Sequence, residues 1–581
     1  MRASDRRTLV SRAEMALIGA LAGLALWGLV EKAQDILTNP HLFLTVASAV
    51  AGFFTILLAL CGPATSLRSA TAAALLAIFA ALLVGWSSLR FDSLEAFFSA
   101  GHLIFAWGVF LFVGTPFLAV WLANPQDTRS YVRLFDMSWG IVVRYSAAWL
   151  FVGVFWAVVF LSDALLQIVG VPLIENLLDI GLVPYVLSGF TLGLGLSVVY
   201  EMRDYVSPYL LLRLLRLLVP VMLVVVTIFV IAVVLRGSNE LFGDLSPAAT
   251  LLAVAIGMIA LVSVALGKQD DDAVHFGWMR AASAMLALLL PVLGALAGYA
   301  VWLRVQQYGW TPARLSAATI AGFVGLYALA YAGSVVFRGE WMERIRQANI
   351  RVAGGILLIS ALWMTPILNI EAISSTSQVN RFLKGESDLE SAPLWELAHA
   401  WGRPGQAALE HLAAQAPDGD GALKQAIAAA KRADNRYQFA TAEAVALGQS
   451  SALRNLIRVF PDEAALRADM MDGVPDYRVN EWLALCRRQS NPGCVMVLDD
   501  FDSAQAGLEG VLLLPGRDGA FDAMSVWVED GNLQLGSYLG GYGAGVVTRD
   551  QVREIVQGNY RLAPSSRKSL WIGDFELSPS N

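Results

Sequence analysis

Residues 217–235 read LLVPVMLVVVTIFVIAVVL, a run of 19 residues without one charged side chain. A helix of about 20 mostly apolar residues crosses the roughly 30 Å hydrocarbon layer of a bilayer, and lipid offers its backbone groups no other partners. This run therefore predicts a membrane-spanning helix. Similar runs elsewhere bring the predicted spans to 11: 14–30, 41–61, 69–86, 100–122, 142–162, 181–200, 217–235, 248–267, 281–303, 315–336 and 352–368.

The composition changes at about residue 368. The whole chain of 581 residues is 56% hydrophobic and only 15% charged, whereas soluble domains are about 25% charged. The sequence predicts an all-α helical membrane bundle followed by an extracytoplasmic α+β region. The predicted parts are a transmembrane helical bundle over 1–368, a linker over 369–390, a helical subdomain over 391–488 and a small strand-rich α+β subdomain over 489–581.

The charge of the C-terminal part restricts its partners. Residues 369–581 carry 19 Lys and Arg against 28 Asp and Glu, which gives a net charge of −9. Nucleic-acid binding needs clustered positive charge that displaces counterions, so we exclude a nucleic-acid partner. The same acidic balance disfavours docking on anionic lipid headgroups.

The loop charges predict the orientation of the spans. With a cytoplasmic N-terminus, the cytoplasmic segments hold 17 Lys and Arg and the opposite loops hold five, as the positive-inside rule requires. Arg2 to Arg12 precede an apolar run without a small-x-small cleavage site, so this run is an uncleaved first span. An odd number of spans then places residues 369–581 outside the cytoplasm. We predict a bacterial inner-membrane protein with a periplasmic C-terminal region.

The predicted spans offer little chemistry. They contain almost no ionisable side chains, which mark functional sites when they occur inside a bilayer. The chain lacks a G-x-S-x-G elbow, a Walker A lysine motif and an H-E-x-x-H helix, so no catalytic or cofactor-binding residue is predicted. Glycines at 193–195 and 322–325 predict close helix contacts, although such glycines also break helices at substrate sites. The acids of loop 268–275 predict a solvated loop rather than a metal site.

Past the last predicted span, the periodicity is first helical and then strand-like. Helices are predicted over 422–432, 437–447, 450–459 and 462–471, and strands over 495–498, 510–514, 523–528 and 533–538, with a short helix at 549–557 and a last strand near 569–577.

Two cysteines in this region predict a disulfide. Cys486 and Cys494 flank a turn-forming segment that contains Asn491-Pro492-Gly493, whereas Cys61 stands at the end of a predicted span. An oxidising compartment permits the bond, and the turn can bring the two thiols together.

Four acids after the first predicted strand resemble a degenerate calcium loop. Asp499, Asp500 and Asp502 are followed by a more distant Glu509, and carboxylates in such a pattern are calcium ligands. Residues 504–506 read AQA where such loops carry an Asp or Asn followed by Gly. Calcium is therefore one hypothesis for these four residues, and solvated acids in a turn are the preferred alternative.

Two motifs resemble a known family. They are YGWTPARL at 308–315 with the span after it, and WMTPILN at 363–369 running into ISSTSQVNR at 373–381. The chain is similar to a bacterial inner-membrane family known as domain of unknown function 4153. The resemblance implies an envelope protein with many spans and brings no activity, so no catalytic residue is carried over. Some family tails hold a fuller acid-and-glycine loop, from which this chain departs at 504–506.

Three functions remain open, in order of preference. The first is a non-catalytic membrane protein whose periplasmic domain binds envelope components or protein partners. The second is a transporter or lipid flippase with a cavity near Pro184, Pro220 and Pro291. The third is an enzyme that acts on lipid-linked sugars through loop acids such as Glu95, Asp163 or Glu175.

The topology can be tested with a C-terminal reporter. We expect a fluorescent protein that matures only in the cytoplasm to stay dark when it is fused after Asn581. The control is the same reporter fused to the N-terminus, which we expect to be bright. A bright C-terminal fusion contradicts the predicted orientation.

Overall fold

The computed structural model divides the chain into two compact units, residues 1–384 with 399–406 and residues 385–398 with 407–581. It describes the whole chain except for residues 1–2, 61–65, 202–207, 237–246, 275, 338, 416–420, 434, 437, 440–448, 489–491, 500, 502–507, 517–519, 530, 540–546, 562–569, 573–574 and 578–581.

The first unit is a bundle of long helices. In the described part of the chain, ten helices are long and apolar enough to cross a membrane, or 11 when a pair bent by 84° counts as one span. The predicted membrane bundle is thus confirmed. The long helices are α1 (Ala3–Glu31), α2 (Pro40–Leu60), α3 (Ser66–Ser88), α4 (His102–Ala123), α5 (Tyr131–Ile168), α6 (Leu182–Glu201), α7 (Leu218–Arg236), α8 (Pro247–Leu266), α9 (Gly277–Tyr308), α10 (Pro312–Val336) and α11 (Trp341–Trp363). We call the end of the bundle at which α1 begins the near end, and the opposite one the far end.

Glycines let α1 and α6 approach closely. A Cβ added at Gly19 would overlap the carbonyl oxygen of Gly189, and one added at Gly193 would overlap that of Met15. In lipid, where there is no hydrophobic drive between helices, small residues four apart allow this backbone approach. At the near end, Arg12 Nη2 lies 2.5 Å from Glu201 Oε2 and joins the same two helices.

The predicted glycine contacts are confirmed at one site and wrong at the other. Gly193 lies in the α1–α6 contact, and a Cβ at Gly195 would lie 3.3 Å from the Cα of Ala148 on α5. In contrast, a Cβ at Gly322 or Gly325 would meet no described atom within 4 Å. Those two glycines on α10 therefore serve no tight helix contact.

The buried apolar side chains of this unit form two large clusters. The first joins side chains of α1–α4, such as Leu44 and Phe110, to Trp363 at the far end of α11. The second joins side chains of α7–α10, such as Leu286, to Ile345 at the near end of α11. The bundle therefore has two halves, and α11 contributes to the core of both.

The chain turns sharply after α11. Asn369 caps helix α12 (Ile370–Leu383) by accepting a hydrogen bond from Ala372 N, and this helix forms the bent pair with α11. It lies within 369–390, the segment that we described as a linker. Its buried face carries polar side chains at helical spacing, namely Glu371, Ser374, Ser375 and Gln378.

A mixed sheet forms the centre of the second unit. Strand β1 (Ile457–Phe460) pairs in parallel with β2 (Cys494–Asp499), and the antiparallel strands β3 (Glu509–Pro515), β4 (Ala520–Glu529) and β5 (Asn532–Leu539) follow in that order. The remaining strands are β6 (Val547–Thr548), which pairs with β4, and the pair β7 (Leu570–Ile572) and β8 (Phe575–Leu577). The helices of this part of the chain are Gly402–Gln415, which begins in the first unit, and Gly421–Arg432, Gln449–Arg454, Asp476–Arg488 and Arg549–Val556.

The predicted α+β fold of this region is confirmed, with two corrections. In place of the helix predicted over 462–471 there are two short 3₁₀ segments, Glu463–Ala465 and Ala468–Gly473. The helix predicted over 450–459 ends at Arg454, and β1 occupies its second half. The reason is the core of the unit, in which Ile457 and Val459 are buried together with Met496 on the paired strand. The helix predicted over 437–447 lies largely outside the described residues.

The contact between α1 and α6 can be tested with two alanine variants of α1. Gly23→Ala places a Cβ on the backbone of Tyr185, and we expect this overlap to lower the free energy of unfolding by about 1–3 kcal/mol. A Cβ added at Gly28 would meet no described atom within 4 Å, so Gly28→Ala gains helix propensity without a clash. Thermal unfolding in detergent measures both, and equal melting temperatures contradict the contact.

Candidate functional site

Three chain segments bring charged side chains together at the far end of the bundle. Arg90 follows the end of α3, His102 begins α4, and Glu371 lies in the first turn of α12. Arg90 Nη1 lies 3.1 Å from Glu371 Oε2, and His102 Nε2 lies 2.8 Å from Glu371 Oε1. We call these three residues the far-end cluster.

Backbone carbonyls complete the surroundings of Arg90. Its Nη2 donates to the carbonyl oxygen of Trp363 at 3.2 Å and to that of Thr365. Gly402, with a φ of 56°, packs its Cα against the Arg90 carbonyl, where a Cβ would overlap, and the neighbouring Arg403 N donates to that carbonyl at 2.7 Å. The guanidinium is thus bound to the turn that joins α11 to α12.

The far-end cluster is buried and balanced by charge. Side-chain exposure is 1% for Glu371, 7% for Arg90 and 9% for His102. Burial alone would raise the pKa of the Glu371 carboxyl, but its contact with His102 and the charges of His102 and Arg90 outweigh burial and hold that pKa below its ordinary value. Glu371 is therefore an anion held between two basic side chains.

His102 contacts the backbone as well as the cluster. Its Nδ1 lies 3.0 Å from the carbonyl oxygen of Ala100, and its Nε2 lies 2.8 Å from Glu371 Oε1. The ring thus joins the start of α4 to the first turn of α12.

A cavity of about 570 Å³ lies beside this cluster. We call it the far-end cavity. It is lined by residues of α4, α8, α10 and α11, and it therefore lies between the two halves of the bundle. Its lining is mostly apolar and consists of Gly101, His102, Phe105, Ala106, Val109, Ile256, Ile259, Ala260, Ser316, Thr319, Ile320, Phe323, Val324, Tyr327, Ile356, Ile359, Ser360 and Trp363.

A second cavity of about 290 Å³ lies toward the near end, and we call it the near-end cavity. Its walls come from α4, α5, α8, α10 and α11, and they include Pro116, Trp139 and Ile350. Tyr327 lines both cavities. The two spaces thus follow one another along the boundary between the halves, with this one side chain in common.

Neutral polar groups join four helices beside the near-end cavity. Tyr331 Oη donates to Asn349 Oδ1 at 2.7 Å and lies 2.8 Å from Ser263 Oγ. Asn349 Nδ2 donates to Ser263 Oγ at 3.2 Å and to Tyr131 Oη at 3.3 Å. Hydrogen bonds between neutral side chains link α5, α8, α10 and α11 without placing an ion in the hydrocarbon layer.

Charged groups close the near end of the same helices. Arg346 is buried, and its Nη1 lies 2.9 Å from Asp270 Oδ1, while its Nη2 donates to the Leu266 carbonyl at 2.9 Å. Asp270 belongs to the acidic loop after α8, so part of this loop anchors α11.

Among the described residues, no group of three or more His, Cys, Asp and Glu side chains could hold a metal ion.

The two cysteines of the predicted disulfide lie in the second unit. Cys486 lies in the last turn of helix Asp476–Arg488 and Cys494 begins β2, with their Cα atoms 5.4 Å apart and their sulfurs at bonding distance. Both residues are buried in the core of that unit. Formation of this bond in cells stays a prediction.

The four acids of the possible calcium loop are described only in part. Asp499 at the end of β2 stands opposite Glu509 at the start of β3, and Glu509 Oε2 accepts a hydrogen bond from Phe501 N at 3.1 Å. Asp500 and Asp502 lie outside the described residues. Calcium binding by this set stays a prediction.

The residues predicted for transport or catalysis do not line either cavity. The prolines Pro184, Pro220 and Pro291 and the acids Glu95, Asp163 and Glu175 are absent from both linings. Asp163 instead accepts a hydrogen bond from Gln167.

Sequence reasoning missed Arg90, His102 and Glu371, because 281 residues separate Arg90 from its acidic partner Glu371. The one signal available was an acid directly after the last apolar run.

Removing the central charge of the far-end cluster tests its energetics. Glu371→Gln leaves Arg90 and His102 buried without an anion, and we expect a loss of about 3–5 kcal/mol in stability. Asp92→Asn is the control, because Asp92 forms an exposed pair with Arg403 at 3.0 Å and such pairs contribute below about 1 kcal/mol. Thermal unfolding of both variants in detergent measures the difference, and a Glu371→Gln variant as stable as Asp92→Asn contradicts a buried ion pair.

Comparison with known proteins identifies the family. No curated protein and no solved structure matches the chain. The model of a domain of unknown function, DUF4153, matches residues 42–394, a range that contains most of α2, all of α3 to α12, both cavities and the far-end cluster. The resemblance noted in the sequence is thus confirmed, and the chain belongs to the DUF4153 family.

Proposed function

We propose that this protein is a transporter or flippase for an amphiphilic, lipid-like molecule. The observation that carries the proposal is the far-end cavity, an apolar space between two half-bundles that reaches a buried charged cluster at one end. Its volume of about 570 Å³ is in the range of roughly 300–1,000 Å³ that small-molecule ligands occupy.

The lining of the cavity favours an amphiphile over a polar solute. Side chains such as Phe105, Ile256 and Phe323 make up most of its walls, and a sugar or an ion would lose its hydration there without new partners. A long apolar chain makes no hydrogen bonds to water, so its transfer into this cavity leaves no polar group without a partner. At one end of the cavity, the polar side chain of His102 can contact the headgroup of such a molecule.

The arrangement of the two cavities favours transport of the ligand across the bundle over simple binding at one site. One lies toward each end of the bundle, both lie between the same halves, and Tyr327 borders both. Transporters move one part of the bundle against the other around a site between them. A shift of the half-bundles about α11 would open one cavity at the expense of the other.

The orientation and location of the protein belong to the same proposal. We place it in a bacterial inner membrane with a cytoplasmic N-terminus, which the 17:5 distribution of loop Lys and Arg supports. The far-end cavity then lies toward the extracytoplasmic leaflet, and the second unit follows α12 on that side.

The second unit supports a further role in binding envelope proteins or lipids. It has its own core and a cavity of about 500 Å³ lined by Phe460, Pro461, Asp499, Gly558, Tyr560 and Arg561. We propose that it recruits a partner, and no residue of it is assigned to catalysis. Calcium at Asp499, Asp500, Asp502 and Glu509 remains a secondary proposal for the same unit.

Filling the far-end cavity tests the main proposal. The probe is a long-chain alcohol that carries a photoactivatable diazirine in its chain, added to the protein in lipid nanodiscs, with crosslinked residues mapped by mass spectrometry. We expect labelling of α4 and α10 in the natural protein and at least a fivefold loss in Thr319→Trp, because Thr319 lines the cavity.

The matched control is Leu329→Trp on the same helix. Leu329 is 71% exposed on the surface of α10 and lines neither cavity, so we expect unchanged labelling of the cavity residues. Equal labelling in Thr319→Trp and Leu329→Trp would show that the probe reports only surrounding lipid, and the proposal fails.

A further inference from the structure

We infer that the near-end cavity binds the neutral carbonyl group of an acylated molecule, an ester or an amide, through hydroxyl groups of α5 and α10. The inference rests on the proposed function, because it takes the ligand to be an amphiphile, and it adds the chemical group that is recognised. Two observations carry it: the polar side chains at this cavity are all neutral, and several of their hydrogen-bond donors have no acceptor among the described residues.

The polar lining of the near-end cavity is small and uncharged. Six of the described side chains that line it carry a polar atom, namely Tyr131, Ser138, Trp139, Ser263, Tyr327 and Asn349, and the others are apolar. Arg346, which closes the near end, is not part of the lining and is already paired with Asp270. An ion in this space would lose its hydration without meeting an opposite charge, so the lining disfavours carboxylate, phosphate and ammonium groups.

The hydrogen bonds beside this cavity are satisfied except for one O–H. In the orientation that the structure gives the Asn349 amide, its N–H groups donate to Ser263 Oγ and Tyr131 Oη, and its oxygen accepts from Tyr331 Oη. Because the Tyr331 hydrogen is used in this way, Ser263 Oγ donates to Tyr331 Oη. Tyr131 therefore only accepts, and its own O–H has no acceptor among the described residues.

Three further donors at this cavity have no acceptor in the described part of the chain. They are the O–H of Tyr327, the O–H of Ser138 and the indole N–H of Trp139. The ring of Tyr327 lies 5.7 Å from that of Tyr331 between centroids, which places it beside the network. Ser138 follows Tyr131 by seven residues on α5, so both lie on one face of that helix. The cavity thus presents neutral donors that the protein leaves unpaired.

A carbonyl group fits this set of donors. Its oxygen has two lone pairs and accepts two hydrogen bonds, and it finds no donor in the hydrocarbon layer, where leaving it unpaired is costly. A hydroxyl headgroup would have to donate as well, although the Trp139 N–H cannot accept and the Tyr131 oxygen already accepts from Asn349. An alkyl chain end would use none of these donors.

The size of the cavity suits a linkage group rather than a whole lipid. Its volume of about 290 Å³ lies just below the range of roughly 300–1,000 Å³ for small-molecule pockets. Apolar side chains such as Phe117, Leu134 and Ile350 belong to the same lining, and they can contact the part of the chain next to the carbonyl. Ester and amide linkages share this chemistry, and the experiment separates them.

The experiment compares five probes on the full-length protein in nanodiscs. All share one long chain with a diazirine next to the variable end, which is a methyl ester, an N-methyl amide, a primary alcohol, a primary amine or a plain alkyl group. We expect the carbonyl probes to label near-end cavity residues of α5 and α10 with an apparent Kd at least fivefold below that of the alkyl probe, because they gain neutral hydrogen bonds. The alcohol should lie between, and the amine should bind no better than the alkyl probe. Labelling by the ester alone assigns an acyl ester, and labelling by the amide alone assigns an N-acyl linkage.

Substitutions of single hydroxyl groups make the test specific. Tyr327→Phe keeps the ring and removes one donor, and we expect it to reduce the preference for the carbonyl over the alkyl probe at least threefold. The control is Tyr299→Phe, because Tyr299 is 51% exposed on α9 and lines neither cavity. It should keep the full preference. Ser138→Ala removes a second donor on α5, should reduce the preference at least twofold, and decides the matter if Tyr327→Phe does not fold.

Two results overturn the carbonyl. One is an alkyl, alcohol or amine probe that binds the near-end cavity as tightly as both carbonyl probes, and the other is an unchanged preference in Tyr327→Phe and Ser138→Ala. The proposed function stands in either case if the alcohol still labels the far-end cavity and Thr319→Trp removes that labelling. If no probe labels either cavity above the level of exposed helix surfaces, both fail together.

Discussion

The inability of hydrocarbon to solvate charge or bare backbone is the constraint on which the rest of this structure depends. It requires the membrane unit to be helical, and it confines charged side chains to helix ends, where Arg12 meets Glu201 and Arg346 meets Asp270. Inside the layer, helices are joined by other means. Glycine backbones touch between α1 and α6, and neutral side chains such as Tyr331 and Asn349 connect α10 to α11.

The same constraint explains which features the sequence could predict. Span positions follow from composition over about 20 residues, so α2 and α8 match their predicted ranges within one or two residues. The contact at Gly193 follows from a local spacing of small residues, whereas its partner residues Met15 and Ala16 on α1 follow only from the packing. Strand β1 is only four residues long, and its pairing with β2 depends on a core that no local pattern contains.

The candidate site was beyond prediction for a different reason. A buried ion pair is a tertiary feature, and nothing in the local sequence of Arg90 or His102 distinguishes them from surface charges at span ends. Glu371 differs only in that it follows the last apolar run directly. Cavities are also invisible in periodicity, because the lining residues of α4, α8, α10 and α11 look like any lipid-facing side chains. The division into two halves with α11 common to both emerges only from the packing.

The long separation of Arg90 and Glu371 along the chain has a consequence for biosynthesis. A ribosome that adds roughly 5–20 residues per second needs on the order of 15–60 s to make the 281 residues between them. During that time α3 is already made, while the Arg90 guanidinium still lacks the Glu371 carboxylate. The pair between these two side chains can therefore form only after the start of α12 has been synthesised.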